Sequence, residues 1–383
     1  MVSVRGKRTK ESSGVYIDYN LIFIVLFLLA FGLVMLYSVS SYEANLDFGD
    51  SAYYFKHQLF PTLLGIGIML LVAHIPYHFW NKVSVLAYLG SIFLLLMIIP
   101  FGKTVNGAKR WIYLFGVISI QPAEVAKLGM IVFLASVIVK MGPRLRIERN
   151  FWMVLGLCVP VVLAVYGITS NLSSALIIIS IALIMLFIAT PGYSRFLLLG
   201  LAVLALAVLV VALAINADSL GLGGYRFGRI QVWLDPDADV SGKGYQTLQA
   251  LYAIGSGGMF GKGLGQSMQK LGFVPEAQND MIFSIICEEL GLFGAMAVIM
   301  LFILLIWRMM VIANNAPDLY GALLVVGVMS HIAVQVILNI CVVTNTIPNT
   351  GITLPFISYG GTAILLLLTE IGIVLSVARS IGK

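Results

Sequence analysis

Apolar residues recur along this chain in runs of nearly twenty, separated by short polar turns and by three longer polar segments. As a helix, a run of that length crosses roughly 30 Å of hydrocarbon, and the spans fall at about 19–40, 58–75, 83–100, 122–140, 152–168, 172–190, 196–215, 282–307, 320–343 and 358–378. About ten crossings is an even number, which puts both termini on one side of the membrane. The pattern predicts an all-α polytopic membrane protein, residues 1–383, folded as a single domain. No internal repeat or low-complexity segment interrupts it.

Charge decides which side is which. Arg5, Lys7, Arg8 and Lys10 precede the first span, and Lys140, Arg144, Arg146 and Arg149 fill the turn after the fourth. Lys82, Arg195, Arg308, Arg379 and Lys383 fall on that same side, whereas Glu43, Asp47, Asp50, Asp218, Asp235, Asp237, Asp239, Glu276 and Asp280 fall on the other. The positive-inside rule then predicts cytoplasmic termini and an external 216–281 loop between the seventh and eighth helices. The basic start ahead of an apolar run resembles a signal peptide, but the run is too long and reads as a retained first helix.

Composition agrees with lipid as the main solvent. Hydrophobic residues make up 60% of the chain and charged residues 10%. A soluble domain has no way to bury so much apolar surface. The net charge of +6 sits in short turns that serve orientation, so no nucleic-acid partner is expected. Cys158, Cys287 and Cys341 all fall within spans, and neither a disulfide nor a metal cluster is expected of them.

Three polar segments carry the candidate chemistry: 101–121, 216–281 and 344–357. Within the largest, Tyr245 to Ile254 places Leu248, Leu251 and Tyr252 near one helical face, which predicts an amphipathic helix at the interface. The glycine-rich stretches 255–258 and 261–265 follow, and such backbone is costly to order unless it must approach a ligand or partner closely. The segment ends on Pro275-Glu276-Ala277-Gln278-Asn279-Asp280, directly before the eighth apolar run. A carboxylate at that boundary can take a proton from a substrate that is half lipid and half polar. It is also placed to cap the helix, and helix-end N–H groups would then keep its pKa low.

Other charges lie within or beside spans. Glu124 and Lys127 are three residues apart on one face, as an internal ion pair or as the lining of a polar groove. Lys109, Arg110 and Trp111 sit just outside that helix, as interfacial anchors or as a cationic clamp for pyrophosphate. Glu288 and Glu289 need partners inside the bundle, Lys127 being one candidate, and Glu370 reads likewise. His57, His74, His78 and His331 show no metal-ligand spacing and read as structural. No nucleotide-binding fingerprint is present, so a transferase of this kind would draw its activated donor from the membrane.

Six ordered motifs resemble the SEDS family of membrane glycan polymerases (shape, elongation, division and sporulation). They are Asn106-Gly107-Ala108-Lys109-Arg110-Trp111-Ile112, Gln121-Pro122-Ala123-Glu124 with Lys127-Leu128, Gly244-Tyr245-Gln246, and Ala253 to Gly258. The last two are Pro275-Glu276 with Asp280 and Glu288-Glu289-Leu290-Gly291, and Leu354-Pro355-Phe356-Ile357-Ser358-Tyr359-Gly360-Gly361. The stretches Leu251 to Ile254, Gly265-Gln266-Ser267 and Gly351 to Pro355 look closer to the division-type FtsW branch, with its sporulation relatives, than to RodA. Two positions depart from the common pattern: Ser170-Asn171-Leu172-Ser173-Ser174 stands where Gln-Pro-Asp-Leu-Gly is frequent, and Asn279-Asp280-Met281 where Thr-Asp-Phe is.

The resemblance implies a peptidoglycan glycosyltransferase that joins lipid II units at the outer face of the bacterial plasma membrane, with Asp280 catalytic. Candidate substrate contacts are Arg110 and Lys127 for the departing undecaprenyl pyrophosphate, with Lys109, Trp111, Glu124, Arg229, Lys243, Lys262 and Ser358 around them. A divalent cation is a further candidate for neutralising that leaving group, although no carboxylate cluster marks a site. A class B penicillin-binding protein and divisome proteins are the partners implied. A lipid II flippase, an elongation-type RodA polymerase and a non-catalytic scaffold are the competing readings.

Overall fold

The computed structural model describes residues 18–105, 108–114, 118–190, 192–215, 225–239, 242 and 244–381. In chain order, α1 (Tyr19–Phe48), α2 (Tyr53–His74) and α3 (His78–Phe101) are followed by three short strands, β1 (Gly102–Val105), β2 (Ala108–Leu114) and β3 (Ile118–Ile120). Next come α4 (Pro122–Met141), α5 (Glu148–Gly156), α6 (Val159–Thr169), α7 (Leu172–Ala189) and α8 (Ser194–Ile215). The large loop contributes α9 (Tyr225–Leu234) and α10 (Tyr245–Gly257), and α11 (Ile282–Asn314), α12 (Leu319–Val343) and α13 (Gly361–Ile381) complete the bundle.

Among the described residues, 10 segments are long and apolar enough to cross a membrane, the number that the hydrophobic runs predict. The fifth is α5 and α6 together, broken at Leu157 and Cys158, because Pro160 in the first turn of α6 cannot donate to the preceding turn. Segment 101–121, expected as loop, forms an antiparallel sheet in the order β1-β2-β3, with Lys103 opposite Trp111 and Ile112 opposite Ile120. The run Trp111-Ile112-Tyr113 in its central strand is aromatic and β-branched, and such residues favour a pleated surface.

Burial grades across the bundle. In α8 only Ala214 is buried among the described side chains, and lipid does not penalise the aliphatic surface that remains. By contrast α12 packs against α4, α7, α11 and α13 and is buried along most of its length. It carries three polar residues four apart, His331, Gln335 and Asn339, on one face.

The eighth span is not a continuous helix. At Gly291 the backbone turns to φ 67° and ψ −168°, which interrupts the ladder of α11 and orphans its neighbouring carbonyl and N–H groups. The glycine-rich loop satisfies them. The amides of Lys262 and Gly263 donate to the Glu288 and Glu289 carbonyls at 2.9 Å each, while those of Leu292 and Phe293 donate to Gly258 and Met259 at 2.9 and 3.2 Å. A Cβ on Gly257 would lie 2.0 Å from the Cys287 carbonyl oxygen, and one on Gly261 2.2 Å from that of Glu289. The close approach expected of these glycines is therefore an approach to the chain's own broken helix. The expected helix is present as α10, which packs against α11 with Leu248 buried, Leu251 half-buried and Tyr252 exposed.

Candidate active site

Asp280 stands two residues ahead of α11. The N-cap of that helix is Met281, without any side-chain cap bond, so Asp280 does not cap it. This corrects the expectation of a low pKa. Burial withdraws the carboxylate from water and raises its pKa to about 7; the charge of Glu276 adds to the rise, while its own amide, Arg229 and Arg110 oppose it. Its Oδ1 is buried with no hydrogen-bond partner. Oδ2 faces Gly351, where an added Cβ would sit 3.7 Å away.

The segment 344–357 wraps this turn and is itself held from several sides. Trp233 Nε1 donates to the Asn345 carbonyl at 3.0 Å, and Arg229 Nη1 to that of Asn349 at 3.1 Å, so α9 grips it. Asn349 donates to Gln246 of α10 at 2.9 Å, and Gln246 to the Pro275 carbonyl at 3.1 Å. Ser173 of α7 donates to Thr350 at 2.8 Å, and the Tyr359 amide to the Gln278 carbonyl at 2.9 Å. From α12, the Asn339 amide donates to the Asp280 carbonyl at 2.8 Å and to that of Ile352 at 2.6 Å.

Arg110 reaches the same region from the middle strand of the sheet. Its Nε and Nη2 donate to the carbonyls of Thr169 and Ser170, both at 3.3 Å, at the C-terminal end of α6. The stretch Ser170 to Ser174, where the sequence departs from the common pattern, is a helix-to-helix turn: Ser170 has φ 50°, and Asn171 caps α7 by accepting from the Ser174 amide. Arg110 and Arg229 are thus the two expected cations whose charge bears on Asp280.

The remaining candidates are placed elsewhere or otherwise engaged. Lys109 is exposed on β2 opposite Thr104, and Trp111 is half-buried opposite Lys103. Lys127 is sealed inside the bundle, 2.7 Å from Glu124 and 3.1 Å from Gln335 Oε1. Its charge is neutralised there, so it neither lines an open clamp nor partners Glu288 or Glu289. Those two carboxylates, both fully buried, take loop lysines instead: Glu288 pairs with Lys262 at 2.6 Å and Glu289 with Lys270 at 2.8 Å. Ser256, Ser267 and the amides of Met268 and Gln269 complete the shell of Glu288, and Ser38 that of Glu289. Lys262 accordingly staples the glycine-rich loop to α11. That loop is anchored by backbone bonds and two ion pairs. Ser358 is buried and closes its own turn by accepting from the Leu354 amide at 2.8 Å. Lys243 lies outside the described residues.

Four residues that matter to this arrangement carried no functional assignment in the sequence: Gln335, Asn339, Lys270 and Ser38. A signal for the first two was present, since polar residues at three successive four-residue steps in an apolar span mark a face that meets polar partners. Glu370 is joined to that face, 2.8 Å from His331. Among the described residues no group of three or more His, Cys, Asp or Glu could hold a metal ion.

The comparisons with known proteins agree over nearly the whole length. A family model described as "Cell cycle protein", spanning FtsW, RodA and SpoVE, matches residues 19–382. The chain is 40% identical over 374 residues to stage V sporulation protein E of Bacillus subtilis, covering 97% of this chain and 98% of that protein. It is 36% identical over 366 residues to a probable peptidoglycan glycosyltransferase FtsW of Trichlorobacter lovleyi, covering 95% and 93%. Among solved structures, a chain from a peptidoglycan synthase complex that coordinates polymerization and crosslinking matches with a TM-score of 0.78 at 26% identity, over 96% and 99% of the two chains. An aspartate-to-alanine variant of the rod shape determining protein RodA of Thermus thermophilus matches at 0.69 and 25%, over 96% and 99%. On sequence and fold together, this chain is a member of the FtsW/RodA/SpoVE family of multi-pass membrane proteins.

Proposed function

We infer that this protein is a peptidoglycan glycosyltransferase that polymerises lipid II, with Asp280 as general base. The observation that carries the role of Asp280 is its state: a carboxylate with one buried, unpartnered oxygen and a pKa near 7. A base poised near the working pH is half ionised and still basic enough to accept a proton, which is worth on the order of 10²–10⁴-fold. Asp280 takes the proton of the acceptor's GlcNAc 4-hydroxyl as that oxygen bonds to the anomeric carbon of the donor. The bond from that carbon to undecaprenyl pyrophosphate breaks, and the electron pair leaves with the phosphate. Arg110 and Arg229 supply positive charge beside the reacting centre, and a guanidinium fork suits a phosphate geometrically.

The transporter reading needs Glu124 and Lys127 to line a pathway. They are closed on each other and on Gln335, which favours the enzyme. By the distribution of basic residues the termini face the cytoplasm and Asp280 the outside. The relatives named FtsW and SpoVE support a division or sporulation role over elongation. A class B penicillin-binding protein is the partner that the family reading supplies, in a divisome setting. The deciding assay is polymerisation of lipid II by the purified chain, with and without that partner. Wild type forms glycan strands and Asp280→Asn forms none while remaining folded; normal strands from the variant remove Asp280 from the mechanism.

A further inference from the structure

The polar stripe of α12 reaches from the middle of the bundle to the reacting residue. At its inner end His331 Nδ1 lies 2.8 Å from Glu370, and His331 Nε2 lies 3.0 Å from Gln335 Oε1. An amide oxygen only accepts, so Nε2 carries a hydrogen. The same oxygen accepts from Lys127 at 3.1 Å, which fixes the orientation of the Gln335 amide. Its Nε2 then donates to the Thr353 carbonyl at 3.1 Å. One turn further, Asn339 is fully buried, and both hydrogens of its amide nitrogen are used, one on the Asp280 carbonyl and one on that of Ile352. Asn339 Oδ1 is left buried without a partner, so nothing in the surroundings rewards an amide here except those two donations. The two carbonyls belong to the turn that carries the carboxylate and to the segment whose Gly351 adjoins Asp280 Oδ2.

We propose that Asn339, backed by Gln335, is a positioning residue for glycosyl transfer, holding the backbone of Asp280 in register with the Ile352–Thr353 segment so that the carboxylate meets the acceptor hydroxyl at a set distance. This rests on Asp280 being the base. No other side chain offers two donors from one nitrogen at this length, apart from the longer Gln, so Asn339→Ala frees both segments at once. A small displacement of a reacting group lowers turnover by on the order of 10²-fold without a comparable effect on ground-state binding.

The test is lipid II polymerisation by the full chain in detergent, comparing wild type, Asn339→Ala, Asn339→Ser and Asp280→Asn across pH 5 to 9. Asn339→Ala is expected to lower kcat by roughly 10- to 100-fold with KM changed by less than about threefold. The acid limb of its rate profile moves to lower pH, because a loosened turn hydrates the carboxylate while Glu276, Arg229 and Arg110 still face it. Asn339→Ser, which keeps one donor, falls between, and it is read by the same two quantities if the alanine variant does not accumulate. A wild-type kcat and limb overturn the proposal. So does a fall in kcat that merely follows the loss of folded protein with the limb unmoved. Activity in Asp280→Asn would instead sink the assignment of the base.

Discussion

Asp280→Asn should make this protein more stable, and the gain should depend on pH. In the folded chain the Asp280 pKa is about 7, against 3.8 for an ordinary aspartate. The unfolded chain therefore releases this proton near pH 4, whereas the folded chain keeps it until near pH 7. Between those values the native state binds more protons, so wild-type stability falls as pH rises through that window and levels off above it. A pKa difference of about 3, at 1.36 kcal/mol each, sets a ceiling of about 4 kcal/mol above pH 7. Partial contact of the side chain with solvent lowers that ceiling. An asparagine does not titrate, so the variant has no such slope. Thermal unfolding in detergent, followed by tryptophan fluorescence, should give equal midpoints for the two proteins near pH 4. By pH 8 the variant should melt several degrees higher. The same residue sets the rate profile: turnover by the wild type should rise about tenfold per pH unit below pH 7 and flatten above it. A midpoint difference that stays constant from pH 4 to pH 8 would refute the reasoning, because a desolvated carboxylate has to titrate.

Three further outcomes follow from the geometry. Arg110→Ala should weaken use of the lipid-linked donor while leaving the fold intact; since it also loses two bonds to the end of α6, unfolding midpoints measured alongside separate the two effects, and unchanged donor kinetics would count against the clamp. Gly291→Ala places a Cβ 2.3 Å from the Gly261 amide nitrogen in a backbone conformation that L residues rarely adopt, so folded yield should collapse, and a stable variant would mean the loop contact is not obligatory. Lys270→Met strands the buried Glu289 carboxylate, costing roughly 3–5 kcal/mol, and Lys270→Met with Glu289→Gln should recover most of it; failure of that rescue in thermal unfolding would show that the pair is not what the lysine contributes.

The membrane spans were legible because a helix in lipid needs a long apolar run, a requirement written directly into composition. Asp280 stands out as a candidate because an acid at the edge of such a run is conspicuous. What the linear pattern hides is pairing. Glu288 and Glu289 look alike in sequence, yet their partners Lys262 and Lys270 lie in a loop that reaches them only because α11 breaks at Gly291. Lys127 could be read as the partner of Glu124, of either glutamate or of phosphate, and of these the ion pair with Glu124, three residues away, is the one that forms. The helix-cap reading of Asp280 failed over one residue: with Met281 as the N-cap, the carboxylate loses the N–H groups that would have lowered its pKa.

Three carboxylates of this one segment therefore share a chemistry and differ in company. Glu288 and Glu289 each receive an ammonium group within 2.8 Å together with hydroxyl donors. An anion so buried and neutralised is engaged by its own loop, and its work is to fasten the glycine-rich loop across the broken helix. Asp280 receives neither; its Oδ1 is unpartnered, and the arginines that bear on it are tied to the carbonyls of Thr169, Ser170 and Asn349. A buried acceptor oxygen without a protein donor is open to a donor that a ligand brings. A sugar hydroxyl is such a donor. Asp280, the proposed base, differs from Glu288 and Glu289 in having an oxygen without a protein donor.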